Sequence, residues 1–156
     1  VTSEACAKAG LQVPVLQPEA RQELRKHVRE FSPPLLNPVD LIANKSHLDY
    51  AAAIEILAKQ EYIDALIIMP PYGGFRRTTP VDTMKSLLEG CALIADIPQK
   101  YQKPVMAFAM REFKNTATYE ILKRGDIPFF ESPETCAHAM QTLVSYGKYR
   151  RSRDHL

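Results

Sequence analysis

The chain has 156 residues, of which 46% are hydrophobic and 24% are charged. This length and balance are typical of one globular domain that buries a single core without metal ions or disulfides. The net charge of +2, from 20 basic and 18 acidic residues, does not indicate a nucleic-acid surface. No apolar run approaches the ~20 residues of a membrane helix, and no signal peptide is recognisable, so we expect a cytoplasmic protein without a membrane partner.

Regular patterns alternate along the chain. In chain order they predict a helix over residues 2–9, a strand over 11–16, a helix over 18–28, a helix from 46, a strand over 64–69, a helix over 79–95, a strand over 103–109, a helix over 115–124, a strand over 127–130 and a helix from 132. Gly10 and Gly125 are helix-ending glycines, and Ser46 with Asp49 forms a capping-box pattern. In the helix that Ser46 starts, one face carries four apolar residues, Tyr50, Ala53, Ile54 and Leu57.

This order predicts a doubly wound, three-layer α/β domain that begins with a helix. Each crossover helix of such a fold follows a strand, because the right-handed connection needs a strand on both sides. We therefore expect the first strand of the sheet to lie upstream of Val1, in a longer protein. The alternative is a three-layer sandwich with only four strands.

Three cysteines, Cys6, Cys91 and Cys136, are widely spaced and lie beside apolar residues. Their odd number and spacing predict free thiols in a reducing compartment. His27 and His138 have no partner at the spacing of a metal site or a catalytic dyad, so we predict no bound metal.

Several short motifs occur in an order and spacing that resemble one family. They are Cys6-Ala7-Lys8-Ala9-Gly10-Leu11-Gln12-Val13-Pro14, Asn37-Pro38-Val39-Asp40-Leu41, the helix from Tyr50 to Leu57, Ile63-Asp64-Ala65-Leu66, Lys103-Pro104-Val105, Gly125-Asp126-Ile127-Pro128 and Ser132-Pro133-Glu134. Together they resemble the last flavodoxin-like domain of the synthetic subunit of ADP-forming acyl-CoA synthetases, which also closes the nucleotide-binding subunit of succinyl-CoA synthetase. The resemblance covers nearly the whole chain. It implies a flavodoxin-like sheet whose first strand is missing, with residues 1–147 as the domain and 148–156 as a basic tail or linker.

The resemblance also implies a phosphohistidine relay. Acyl-CoA and phosphate give an acyl phosphate, the phosphoryl group moves to a histidine, and ADP then receives it to form ATP. In the family this histidine lies in a Ser-His-Thr-Gly motif of a preceding domain, so we expect no catalytic residue here and an inactive isolated chain. His47, in Ser46-His47-Leu48-Asp49, shares two residues with that motif, but we interpret it as a solvent-facing residue at a helix start.

Cofactors and partners follow from the same resemblance. It implies that the intact enzyme uses CoA, ATP or ADP, and Mg²⁺, none of them bound by this part alone. The implied partners are the phosphohistidine and CoA-binding domains of the same protein and an ATP-grasp domain or subunit.

A glycine pair after the strand over 64–69 is the main candidate site. In the family, a helix that begins at such a pair faces the phosphohistidine, and here the matching residues are Tyr72, Gly73, Gly74 and Phe75. Glycines let the backbone approach a phosphate closely, and unpaired amides at a helix start bind anions. Arg76 follows directly and would add positive charge. The alternative is a simple glycine turn, because the helix signal begins only at Thr79-Pro80.

Four further polar residues are candidates for an interface or a ligand-facing loop: Asn37, Asp40, Arg111 and Asn115. Asn37 and Asp40 belong to a turn that either shapes the edge of the sheet or contacts a neighbouring domain. Arg111 and Asn115 follow the strand over 103–109, at the carboxyl edge where ligands bind in this topology.

Two other functions fit parts of the pattern. One is an independent flavodoxin-like module that binds a small anion. The other is a synthetase-like regulatory region fused to an acetyltransferase domain, with the basic segment from Tyr146 as the start of a linker.

Overall fold

The computed structural model describes residues 1–30, 32–41, 46–70, 81–109 and 116–153, without the side chains of residues 81–83. These ranges form α1 (Thr2–Lys8), α2 (Pro18–Arg25), α3 (His47–Ala58), β1 (Leu66–Ile68), α4 (Val81–Tyr101), β2 (Val105–Phe108), α5 (Ala117–Arg124), β3 (Phe129–Phe130) and α6 (Pro133–Arg153). The three strands form one open parallel sheet in the order β1-β2-β3, with Leu66 opposite Val105 and Ala107 opposite Phe129. This mixed α/β architecture is consistent with the predicted flavodoxin-like fold.

Side chains that alternate along the strands supply a core on each face of the sheet. Leu66, Ile68 and Val105 pack into the larger core together with residues of α2, α3, α4 and α5. Ile67 and Met106 pack on the opposite face with α1 and α6. The sheet therefore lies between two helix layers.

Side-chain caps start three of the helices, two of them, at Ser46 and Ser132, at the predicted positions. The Ser46 hydroxyl accepts a hydrogen bond from the Asp49 amide at 3.1 Å, and Thr116 and Ser132 cap α5 and α6 in the same way. Gly10 ends α1 with φ of +81°, a left-handed conformation that glycine adopts without strain. The predicted helix boundaries at Ser46, Ser132 and Gly10 are confirmed.

The predicted strand over residues 11–16 is wrong. The segment has no sheet hydrogen bonds within the described ranges. Leu11 and Val13 pack on the side of α1 and α6, whereas Leu16 is buried in the larger core. A strand needs a neighbour for its backbone, and in the described part of the chain β1 has a strand partner only in β2. Among the described residues the sheet thus has three strands rather than the predicted four.

Helix α3 has more buried residues than its pattern predicts, and helix α4 is longer than predicted. In α3, the expected Ala53 and Ile54 are buried, but so are Ala51 and Ile56, because α2 and α4 both pack against this helix. Helix α4 continues six residues beyond the predicted end at Ala95 and carries Pro98 in its last turns.

The described residues include no helix whose length and hydrophobicity would let it cross a membrane. All three cysteines are free thiols and are buried, as predicted. Burial raises the pKa of Cys91 to about 11 and is also the main reason that the pKa of Cys136 is about 12.

Candidate functional site at the carboxyl edge of the sheet

The carboxyl end of β1 lies against the start of α3. After Ile68 the chain continues through Met69 to Pro70, which is fully buried. The Tyr50 hydroxyl, in the first turn of α3, donates a hydrogen bond to the Met69 carbonyl. Ligands of open parallel sheets bind at this edge, beyond the carboxyl ends of the strands.

Helix α4 projects beyond the start of α3 at the same edge. The two helices run side by side in the same direction, since Gly90 lies against His47 and Lys100 pairs with Glu55. Nine residues of α4 precede Gly90, which corresponds to a projection of about 13 Å at 1.5 Å per residue. The contact is close: a Cβ on Gly90 would lie 2.7 Å from the His47 carbonyl oxygen. The start of α4 is therefore presented beyond the carboxyl edge of the sheet.

Most of the predicted site residues lie outside the described ranges. These are Tyr72, Gly73, Gly74, Phe75, Arg76, Arg111 and Asn115. The first five belong to the segment between Pro70 and Val81, and the last two belong to the segment between Ala109 and Thr116.

Asn37 and Asp40 are both described and have different environments. The partly buried Asn37 side chain donates a hydrogen bond to the Pro14 carbonyl at 3.0 Å, and the Asn37–Pro38 peptide is cis. Val39 and Leu41, on either side of the exposed Asp40, pack against the larger core. Asn37 therefore joins this turn to the extended segment over residues 11–16.

His47 is more enclosed than its sequence position predicts. Its Nδ1 atom is buried and has no hydrogen-bond partner among the described residues. Burial lowers the pKa of the ring, which favours a neutral imidazole. From the sequence we interpret His47 as a solvent-facing residue, but it is only partly exposed, because α4 packs against the start of α3.

A second histidine contact was not visible in the sequence. His27 Nδ1 lies 2.9 Å from Asp49 Oδ1, and the Ser46 hydroxyl donates to Asp49 Oδ2 at 2.6 Å. His27 follows α2 by two residues, so the contact joins the end of α2 to the start of α3. The two residues are 22 positions apart, so no local pattern in the sequence indicated their contact. The sequence indicated only the capping role of Asp49. Because Asp49 lies between the serine and the histidine, this is not a nucleophile–base arrangement.

The described residues contain no cluster of three or more His, Cys, Asp or Glu side chains placed to bind a metal ion.

Comparison with known proteins found two distant relatives over nearly the whole chain. The chain is 28% identical over 151 residues to the alpha subunit of acetate–CoA ligase [ADP-forming] II of Pyrococcus furiosus, a match that covers 95% of this chain and 31% of that protein. It is 22% identical over an alignment of 157 residues to 4-hydroxybutyrate–CoA ligase [ADP-forming] of Nitrosopumilus maritimus, with 97% of this chain and 20% of that protein covered.

No protein-family model matches the chain. The chain spans about a third and a fifth of the lengths of these two relatives. The comparisons thus support, over most of this chain, a distant relationship to ADP-forming acyl-CoA ligases.

Proposed function

We propose that this chain is a domain of an ADP-forming acyl-CoA ligase, an acid–thiol ligase that works through a phosphohistidine relay. Its role there is to supply a docking surface and a phosphate-facing wall, with the phosphorylated histidine in another domain. The similarity over 95% of the chain to a ligase subunit carries this proposal.

The geometry of the carboxyl edge supports the phosphate-facing role. Residues 71–80 connect the end of β1 to α4, whose start projects beyond the sheet. The ends of α3, α5 and α6 at this edge are capped by their own side chains, Ser46, Thr116 and Ser132. The amides of Gly73 and Gly74 would approach an anion without hindrance from a Cβ atom. An anion at the start of α4 would gain a further favourable interaction of about 0.3–1 kcal/mol, and up to about 2 kcal/mol when sheltered.

The open edge of β1 supports the docking role. Within the described residues β1 pairs only with β2, and the extended segment over residues 11–16 has no ladder of its own. A strand from the preceding domain, inserted beside β1, would complete the sheet and satisfy both backbones.

The test uses the full-length protein that contains this chain. Acyl-CoA, phosphate and ADP should yield ATP, and a radiolabelled phosphoryl group should appear on a histidine. We expect Gly73→Val combined with Gly74→Val to slow labelling at least about tenfold while acyl-CoA affinity stays nearly unchanged, because side chains at these positions would block the approach of the phosphate.

Gly147→Val is the matched control. A Cβ on Gly147 meets nothing within 4 Å, so this variant should label at the normal rate. Normal labelling of the Gly73→Val/Gly74→Val variant would exclude the phosphate-facing role but leave the ligase assignment standing. Absence of both ATP formation and histidine labelling in the unmodified protein would overturn the assignment itself.

A further inference from the structure

A groove of about 530 Å³ lies between α2 and the turn that follows it. Its apolar lining comes from Pro18 at the start of α2 and from Pro34, Leu35 and Leu36 in the turn. Leu35 is 3% exposed, whereas Leu36 is 51% exposed. An apolar side chain that enters the groove would therefore contact Leu36 and remove part of its surface from water.

The polar lining of the groove is basic. Arg21 and Arg25 lie four residues apart, on one face of α2, and both are exposed. The lining contains no acidic residue. Among the described residues neither arginine forms a salt bridge, whereas the third cation of the lining, Lys26, is paired with Glu23 at 2.5 Å. Arg21 and Arg25 thus present positive charge that the described part of the chain does not neutralise.

The groove is held in shape by buried contacts. On the inner face of α2, Ala20 and Leu24 are 1% and 0% exposed. The Gln17 amide, just before α2, donates to the Tyr62 hydroxyl at 3.1 Å. In the turn, the Leu36 amide donates to the Pro34 carbonyl at 2.9 Å. A partner would therefore meet a preformed surface, which lowers the entropic cost of binding.

We propose that this groove is a docking site for an acidic polypeptide segment that combines carboxylates with an apolar side chain. Guanidinium groups bind carboxylates through paired hydrogen bonds, and Arg21 and Arg25 offer two such positions on adjacent turns. The apolar lining requires a partner with an apolar side chain, which a small inorganic anion lacks. A single-stranded nucleic acid fits less well, because the lining has no aromatic residue on which a base could stack. The proposal does not depend on the proposed ligase function.

The test measures binding of a fluorescently labelled peptide of repeated Glu-Glu-Leu triplets to the full-length protein by fluorescence anisotropy. Three further probes separate the contributions: a Gln-Gln-Leu peptide lacks charge, a Glu-Glu-Ser peptide lacks the apolar side chain, and a single-stranded oligonucleotide carries charge without carboxylates. We expect saturable binding of the Glu-Glu-Leu peptide and weaker binding of all three others.

Variants locate the site. Arg21→Glu combined with Arg25→Glu should weaken binding of the Glu-Glu-Leu peptide at least about tenfold, because both carboxylate contacts become repulsive. Leu36→Ser should weaken it severalfold. The matched control is Arg150→Glu combined with Arg151→Glu, which makes the same change in net charge at the exposed end of α6 and should leave the affinity nearly unchanged. All four arginines are exposed, so circular dichroism should show that both double variants fold normally.

Three results would overturn the proposal. The first is no saturable binding of the Glu-Glu-Leu peptide. The second is an equal loss of affinity in the two double variants, which would mean that only the overall charge attracts the peptide. The third is tighter binding of the oligonucleotide, which would make the groove a nucleic-acid site.

Discussion

At the first position of α3, His47 has a buried ring nitrogen without a partner in the described structure, and this burial lowers its pKa. The unfolded chain has a histidine pKa of about 6.5. As the pH falls through that value, the unfolded state takes up a proton that the folded state binds only at lower pH, so the stability contributed by neutral His47 is lost on acidification.

We therefore expect the free energy of unfolding to decrease between about pH 7.5 and pH 5.5, and to decrease less steeply in His47→Asn. Urea unfolding at several pH values measures this. His138 is exposed, and His138→Asn should keep the slope of the unmodified protein. An unchanged slope in His47→Asn would mean that its burial is not coupled to folding.

We expect Gly→Ala substitutions at Gly125 and Gly147 to change the free energy of unfolding in opposite directions. A Cβ on Gly125 would lie 2.4 Å from the Ala95 carbonyl oxygen, whereas a Cβ on Gly147 meets nothing within 4 Å. Gly125→Ala should lower the free energy of unfolding by about 1–3 kcal/mol, because the end of α5 must move away from α4. Gly147→Ala should raise it by about 0.4–1 kcal/mol through the lower entropy of the unfolded chain. Thermal unfolding of both variants measures the difference, and equal effects would contradict the close approach at Gly125.

At the scale of elements, Lys103 ties the last turn of α3 to the start of β2. Its ammonium group donates to the Ala58 and Gln60 carbonyls at 2.8 Å and 2.7 Å. The Ala58 carbonyl is one of the acceptors that the helix end leaves without an intrahelical partner, whereas the Gln60 carbonyl, just beyond the helix, also accepts from the Ile63 amide. Lys59, which is exposed at the same helix end, forms an ion pair with Glu55 at 3.8 Å.

Lys103→Met should therefore lower the free energy of unfolding by about 1–3 kcal/mol, since hydrogen bonds from a charged donor are lost at a partly buried site. Lys59→Met, the same chemical change nearby, should cost less than about 1 kcal/mol. Chemical denaturation of the two variants provides the comparison. Similar costs would show that the two carbonyls are solvated equally well without Lys103.

The elements also show which local signals are reliable. Ser46 was predictable as a helix start because a cap depends on residues three positions apart. Gly125 was predictable as the end of α5 for the same local reason. The prediction of a strand over residues 11–16 failed, because a strand requires a hydrogen-bonded neighbour as well as a suitable sequence pattern.

At the scale of the whole molecule, three parallel strands between two helix layers form an open sheet whose edge at β1 has no strand partner in the described chain. The start of α4 projects beyond the carboxyl edge of this sheet, and a groove beside α2 is lined by the exposed Arg21 and Arg25. This arrangement agrees with a chain that matches a third or less of the length of its ligase relatives.

The sequence by itself determined the α/β class, the helix caps and the similarity to ADP-forming acyl-CoA ligases, because these depend on periodicity, local hydrogen bonds and the order of short motifs. Only the tertiary structure decided the burial of the His47 Nδ1 atom beside α4, the contact between His27 and Asp49, and the groove between α2 and Leu36. Each of these joins residues that are distant in the sequence, and their proximity results from how helices pack rather than from any local pattern.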